Sequence, residues 1–177
     1  MSRKKAMAVW VAILCLTIGA GLATATNRNG CWKYADFAIN WYNGGTDDYY
    51  NIFQEEAKTD TDAWDPYTDV SFTQVAAAGT TDHLHGYSGS YGATGWLSLI
   101  EITSYTGCTI KSGRFRLNRT YLDGSTYTRA QKEALACNSI GKLLGLTNDS
   151  TNTGCMNPSI VAPNPSVHDQ AVINSIY

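Results

Sequence analysis

Ser139 and Lys142 are the residues of this chain closest to a nucleophile and its base. Three residues apart on a helix they would share one face. S-x-x-K is the spacing at which a lysine can activate a serine for acyl transfer. The K-x-G element that should follow such a serine is represented only by Lys111-Ser112-Gly113, which precedes it. The domain is also too small for that chemistry, so the match reads as chance. The local histidine cluster is Asp82-His83-Leu84-His85. Alternate residues of an extended chain project to one side, so His83 and His85 could begin a metal site, with His168 a remote third ligand. The simpler reading puts the pair on a solvent rim and His168 at the start of the last helix. Glu101, between Ile100 and Ile102, reads as the solvent face of a strand. Lys111, Arg114, Arg116 and Arg119 follow one extended segment and read as a solvated strand face, not a binding patch.

The elements that position these residues lie in one domain. Arg3, Lys4 and Lys5, an apolar run from Ala6 to Leu22 and the small residues Ala23-Thr24-Ala25 have the layout of a cleaved export signal over residues 1–25. The expected mature chain is residues 26–177, a single secreted domain with a core of its own and no membrane segment once the signal is removed. All 15 acidic residues fall in that part, against ten of the 13 basic ones. An acidic surface rich in Tyr and Gly argues against nucleic acid as a partner. Cys31, Cys108, Cys137 and Cys155 remain, an even number in an exported chain, and imply two disulfides. Of three possible pairings, Cys137–Cys155 is favoured because a helix followed by a returning loop brings its ends together. Cys31–Cys108 follows by elimination. No CxxC spacing supports a cysteine metal site.

Along the chain, residues 26–30 read as a polar leader and Cys31–Tyr42 as an aromatic strand ended by Asn43-Gly44-Gly45. Apolar residues at helical spacing predict a helix over 47–63, capped by Thr46 and broken at Asp65-Pro66. Val70–Val75 reads as a short strand and Ala76–Thr94 as a long loop rich in Gly, Ser, Tyr and Thr. Gly95–Ser104 and Thr109–Leu117 read as strands joined by a turn at Thr106-Gly107. Asn118–Tyr127 reads as loop. Thr128-Arg129-Ala130-Gln131 is a capping box opening a helix that buries Ala134, Leu135, Ile140, Leu143 and Leu144 and stops at Gly145. Residues 147–165 are loop, and Ser166 starts a final helix.

This order, with the run CNSIGKLLGLTND…CMNP, resembles the metzincin zinc proteases, most closely the matrixin-like secreted bacterial members. Their motif is HExxHxxGxxH followed by a Met-turn. Aligned on Gly145, its defining positions fall on Asn138, Ser139, Lys142, Gly145 and Asn148, and Met156 matches the Met-turn. The resemblance implies an α/β (α+β) fold with a twisted mixed sheet of about four to five strands and three helices. It also implies that Trp96, Leu97, Ser98 and Leu99 belong to an edge strand above a substrate cleft. The departures fall on the chemistry. Zinc needs imidazoles at i and i+4 and a third after the glycine turn, with a carboxylate to take a proton from the bound water. Asn138, Lys142 and Asn148 are poor ligands, and Ser139 is no carboxylate. The chain therefore reads as a degenerate metzincin, a secreted pseudoprotease with no cofactor. It would act as a monomer that binds a polypeptide through the remnant cleft. The alternatives are a zinc endopeptidase with unusual ligands such as His83 and His85, and a structural or surface protein. One account of the changed residues has the Lys142 ammonium in the place of the metal, hydrogen-bonded by the Asn138 and Asn148 oxygens. The other leaves these positions as plain polar surface.

Overall fold

A computed structural model describes residues 27–59, 63–79, 83–160 and 162–177. The proposed signal over 1–25 lies outside them, as does Asp82. The described residues form a mixed α/β domain with a mostly parallel sheet of six strands. The strands are β1 (Lys33–Tyr34), β2 (Ala38–Gly44), β3 (Ser71–Val75), β4 (Leu84–Gly89), β5 (Ser98–Thr106) and β6 (Thr109–Asn118). Five helices accompany them among these residues: α1 (Asp48–Gln54), α2 (Trp64–Tyr67), α3 (Arg119–Leu122), α4 (Arg129–Leu143) and α5 (Val167–Ile176).

β2 lies between β3 and β4, and β4 pairs with β6, all in parallel. β5 runs antiparallel to β6 and is an edge. Because β5 takes one side of β6, the other side is shared end to end: β1 pairs at Thr109–Ile110 and β4 from Gly113 onward. The aromatic segment expected as one strand over Cys31–Tyr42 is thus two. β1 joins β6 and β2 joins β3 and β4, because the chain bends at residues 35–37.

Alternation along the strands sets the two faces of the sheet. Ile39 and Trp41 of β2, Leu84 of β4, and Phe115 and Leu117 of β6 are fully buried on one face, beneath α1 and α4. The Phe53 ring of α1 meets the Phe115 ring edge-on at 4.9 Å. The opposite face carries Tyr42, His85 and Tyr87, whose rings lie about 6 Å apart. Beside them Glu101 accepts from Arg114 at 2.8 Å and pairs with Arg116 at 3.2 Å. The basic strand face is therefore ion-paired, with Arg119 held by Asp47 and Asp123 in the same way.

Several expectations change. The loop expected over Ala76–Thr94 contains β4, a central strand. Its signal is weak because an added Cβ at Gly86 would lie 2.7 Å from the Phe115 ring, so only glycine fits there. The strand expected from Gly95 begins at Ser98, leaving Trp96 and Leu97 in the approach to it. The helix expected over 47–63 ends its regular part at Gln54 and widens into a π turn over Glu55–Thr59. Its N-cap is Asp47, not Thr46. Asp65-Pro66 sits inside the one-turn helix α2, where a proline in the first turn sacrifices no hydrogen bond. Asn118 caps α3 within the segment expected as loop. Leu135 is only partly buried.

Both disulfides are present, Cys31–Cys108 and Cys137–Cys155. No helix among the described residues is long and apolar enough to cross a membrane.

Candidate functional site

The capping box at Thr128 starts α4 as the sequence predicts. The Thr128 hydroxyl accepts from the Gln131 amide, and the Gln131 side chain accepts from the Thr128 amide at 2.9 Å. The helix then runs to Leu143, Leu144 caps it, and Gly145 leaves it with φ +105°. A short return loop comes back beneath the helix. Gly141 makes this approach possible: a Cβ there would lie 2.6 Å from both Met156 Sδ and the Trp64 ring. The Cys137–Cys155 disulfide ties the two segments. Trp64 Nε1 donates to the Cys137 carbonyl at 3.2 Å.

Three of the motif-aligned residues meet here. Asn138 is buried, and its Nδ2 donates to Asn148 Oδ1 at 3.1 Å and to the Cys155 carbonyl at 2.8 Å. The same nitrogen lies 3.9 Å from Met156 Sδ. One amide thus joins the helix, the residue after the glycine turn and the Met-containing turn. Both of its hydrogens are used, so Asn138 acts as a clamp.

Ser139 is fully buried. Its Oγ donates to the Leu135 carbonyl at 2.6 Å and lies 2.7 Å from Ser98 Oγ. With its one hydrogen on Leu135, Ser139 is the acceptor in the second bond and Ser98 the donor. Ser139 therefore pins α4 to β5 and is not poised as a nucleophile.

Lys142 is half-buried and makes no hydrogen bond or ion pair among the described residues. The expectation that Asn138 and Asn148 hold its ammonium is not met, because they are joined to each other. Loss of solvent around the ammonium pulls its pKa below the ordinary lysine value.

Lys142 lines two adjoining cavities between α4 and β5. One, of about 450 Å³, has Ile100, Ile102, Leu143 and Leu146 among its walls. The other, of about 290 Å³, has Trp96, Leu97, Ser98 and Leu135 on its sides, with Pro158 across from them. Ile100, Lys142 and Asn148 belong to both. Together the cavities form one cleft along the free side of β5. Leu99 is on the strand, but its side chain is not part of the cleft wall.

His83 and His85 sit elsewhere. Leu84 and Gly86 face the core, so the His85 imidazole projects to the opposite side of the sheet from α4, whereas His83 precedes β4 and its ring lies 5.7 Å from that of the buried Tyr34. His83 Nδ1 accepts from the Asn40 amide at 3.3 Å, and His85 Nδ1 lies 3.2 Å from the Tyr87 hydroxyl. His168 is on α5, beside the loop carrying Asp149 and Asn152. Among the described residues no three His, Cys, Asp or Glu side chains converge as metal ligands.

The sequence also conceals how the segment before β1 takes part. Asn27 reads as polar leader, yet it is buried. Its carbonyl accepts from the Thr147 amide at 2.6 Å, and the Asn29 amide donates to the Gly145 carbonyl at 2.7 Å. Asn27 Nδ2 donates to Asp169 Oδ1, which also accepts from Asn152 Nδ2. Residues 27–29 therefore strap the turn that follows α4. A lone buried asparagine in a polar segment has no periodicity to announce it. Compared with models of known protein families and with curated proteins, the sequence matches none.

Proposed function

We propose that this chain is an exported metzincin-like domain without the zinc machinery, and that it binds an extended polypeptide in the cleft between α4 and β5. The observation that carries the reading is the bond from Asn138 to Asn148 over Met156 Sδ. Two positions aligned with zinc ligands converge above the Met-turn, as ligands would, but through amides that favour each other over a cation. Three further features support it. β5 is the antiparallel edge strand beside the cleft, Gly145 makes the turn, and a disulfide locks the helix to the Met-turn segment. An open strand edge above an apolar cleft suits recognition by strand addition, with main-chain bonds giving affinity and alternate side chains giving selectivity. The two disulfides and the signal-like start favour an extracellular setting.

Elemental analysis of the purified protein, with a casein-cleavage assay with and without chelator, tests the loss of zinc. We expect neither stoichiometric zinc nor chelator-sensitive cleavage, and finding both together sinks the reading. Installing Asn138→His, Ser139→Glu, Lys142→His and Asn148→His together should create a site that retains zinc through dialysis. A folded quadruple variant that takes up no zinc counts against the alignment.

A further inference from the structure

The cleft has a linear order. On the β5 side it runs from Ser98 through Ile100 to Ile102, and on the α4 side from Leu135 through Lys142 to Leu146. Lys142 and Ile100 stand in the middle, shared by both cavities. Ser98 faces α4, as its bond to Ser139 requires, so by alternation Ile100 and Ile102 do too. Glu101 lies on the other face with Arg114.

Past Ile102 the β5–β6 register shifts at a bulge, which interrupts the regular alternation although the pairing resumes to Thr106. The usable edge, Ser98 to Ile102, is about 13 Å long, room for about five residues of an added strand.

Charge completes the pattern. Among the described residues Lys142 is the only charged side chain lining either cavity, and it has no hydrogen-bond or ion-pair partner among them. Beside it, Asn148 commits its oxygen to Asn138 and leaves its Nδ2 as a second donor. On either side the cavities are largely apolar, with Leu143 and Leu146 in one, and Leu97 and Leu135 in the other.

We infer that the occupant of this cleft is an extended peptide with the pattern apolar–x–acidic–x–apolar, its central Asp or Glu side chain paired with Lys142. An added strand places every second side chain over α4, about 7 Å apart, so one falls at Lys142 and its two same-face neighbours in the flanking cavities. The pattern reads the same in both chain directions, so strand polarity does not alter it. The inference rests on the peptide-binding reading and adds the chemistry of the ligand.

The test is fluorescence anisotropy with dye-labelled peptides blocked at both termini and centred on Leu-Thr-Glu-Thr-Leu. A second peptide carries Gln in place of Glu, a third moves Glu by one position, and a fourth ends in a free carboxylate at the central position. The Glu peptide should bind about tenfold more tightly than the Gln and shifted peptides, the scale of one charge-assisted contact, and added salt should weaken it. Lys142→Met should erase the preference, bringing the Glu and Gln peptides to equal affinity. Lys142→Glu should transfer the preference to a peptide with central Lys, which a merely structural role for Lys142 does not predict. Thermal melts confirm that both variants are folded. Equal binding of the Glu and Gln peptides overturns the acidic-residue inference and leaves peptide binding standing. Stronger binding of the free-carboxylate peptide overturns it in favour of a chain terminus. No binding by any of the four overturns the peptide-binding reading as well.

Discussion

Asn138 and Lys142 lie one helical turn apart and have opposite energetic roles. Asn138 is buried with both amide hydrogens bonded, so Asn138→Ala removes a clamp and leaves the Cys155 carbonyl and Asn148 oxygen without their donor. The expected cost is about 1–3 kcal/mol, or about 3–10 °C in Tm for a chain of this size. Calorimetry or thermal circular dichroism checks it. Lys142 buries part of a charged side chain with no compensating partner among the described residues, and burial lowers its pKa. Lys142→Met should therefore raise stability, by about 1 kcal/mol. A fall in Tm in that variant would show that the ammonium has a stabilising partner.

The β5–β6 hairpin is where elements carry the site. Its outer face is joined by Glu101, whose pKa is lowered first by its hydrogen bond to Arg114 and then by the charges of Arg114 and Arg116. A carboxylate depressed in the folded state contributes stability above its unfolded pKa and loses it as pH falls through the folded value. The wild type should therefore lose stability faster than Glu101→Gln as pH drops below the ordinary glutamate range, with near-parallel behaviour above it. Glu101 is about one-third exposed, so solvent screening keeps the effect small. Denaturant melts across pH 2–6 would expose the difference, and identical acid limbs would rule it out. On the inner face, the Ser98–Ser139 bond and the packing of Ile100 and Ile102 set the distance between edge and helix, and so the width of the cleft.

Across the whole molecule, the two disulfides brace different parts. Cys137–Cys155 spans 18 residues and holds the Met156-containing turn against α4, whereas Cys31–Cys108 spans 77 and joins the segment before β1 to the β5–β6 turn. Loop-closure entropy predicts that losing the longer bridge costs about 4.5 kcal/mol and the shorter about 3. The Cys31→Ser/Cys108→Ser variant should therefore have the lower denaturation midpoint. The Cys137→Ser/Cys155→Ser variant should be the more impaired in peptide binding relative to its stability, because its bridge borders the cleft. Comparing denaturant midpoints and peptide affinities of the two double variants checks both statements. Asp169 adds a third brace. Fully buried, it accepts from Asn27, Asn152 and Ser166, linking the segment before β1, the return loop and α5.

Local signals in the sequence were sufficient for the parts whose physics is local. Thr128 and Gln131 cap α4, Ser166 opens α5, Gly145 makes a turn, Gly107 reverses the hairpin, and the cysteine pairing follows from a helix and its returning loop. The caps and turns depend on a few neighbouring residues, and the pairing of Cys31 with Cys108 follows by elimination once Cys137 and Cys155 are joined. The rest depends on residues far apart in the chain. β4 has no strand signature because the Phe53 and Phe115 rings take up the space a side chain at Gly86 would need. Cys31–Tyr42 divides because β6 has room for β1 on only part of one side. Asn27 is anchored by Thr147 and Asp169, more than a hundred residues away. The residue types at positions 138, 139, 142 and 148 already argued against a zinc site. Only the tertiary structure decided that Asn138 and Asn148 bond to each other and leave Lys142 as the single charge in the cleft, because an amide's partner is set by packing and not by its place in a motif.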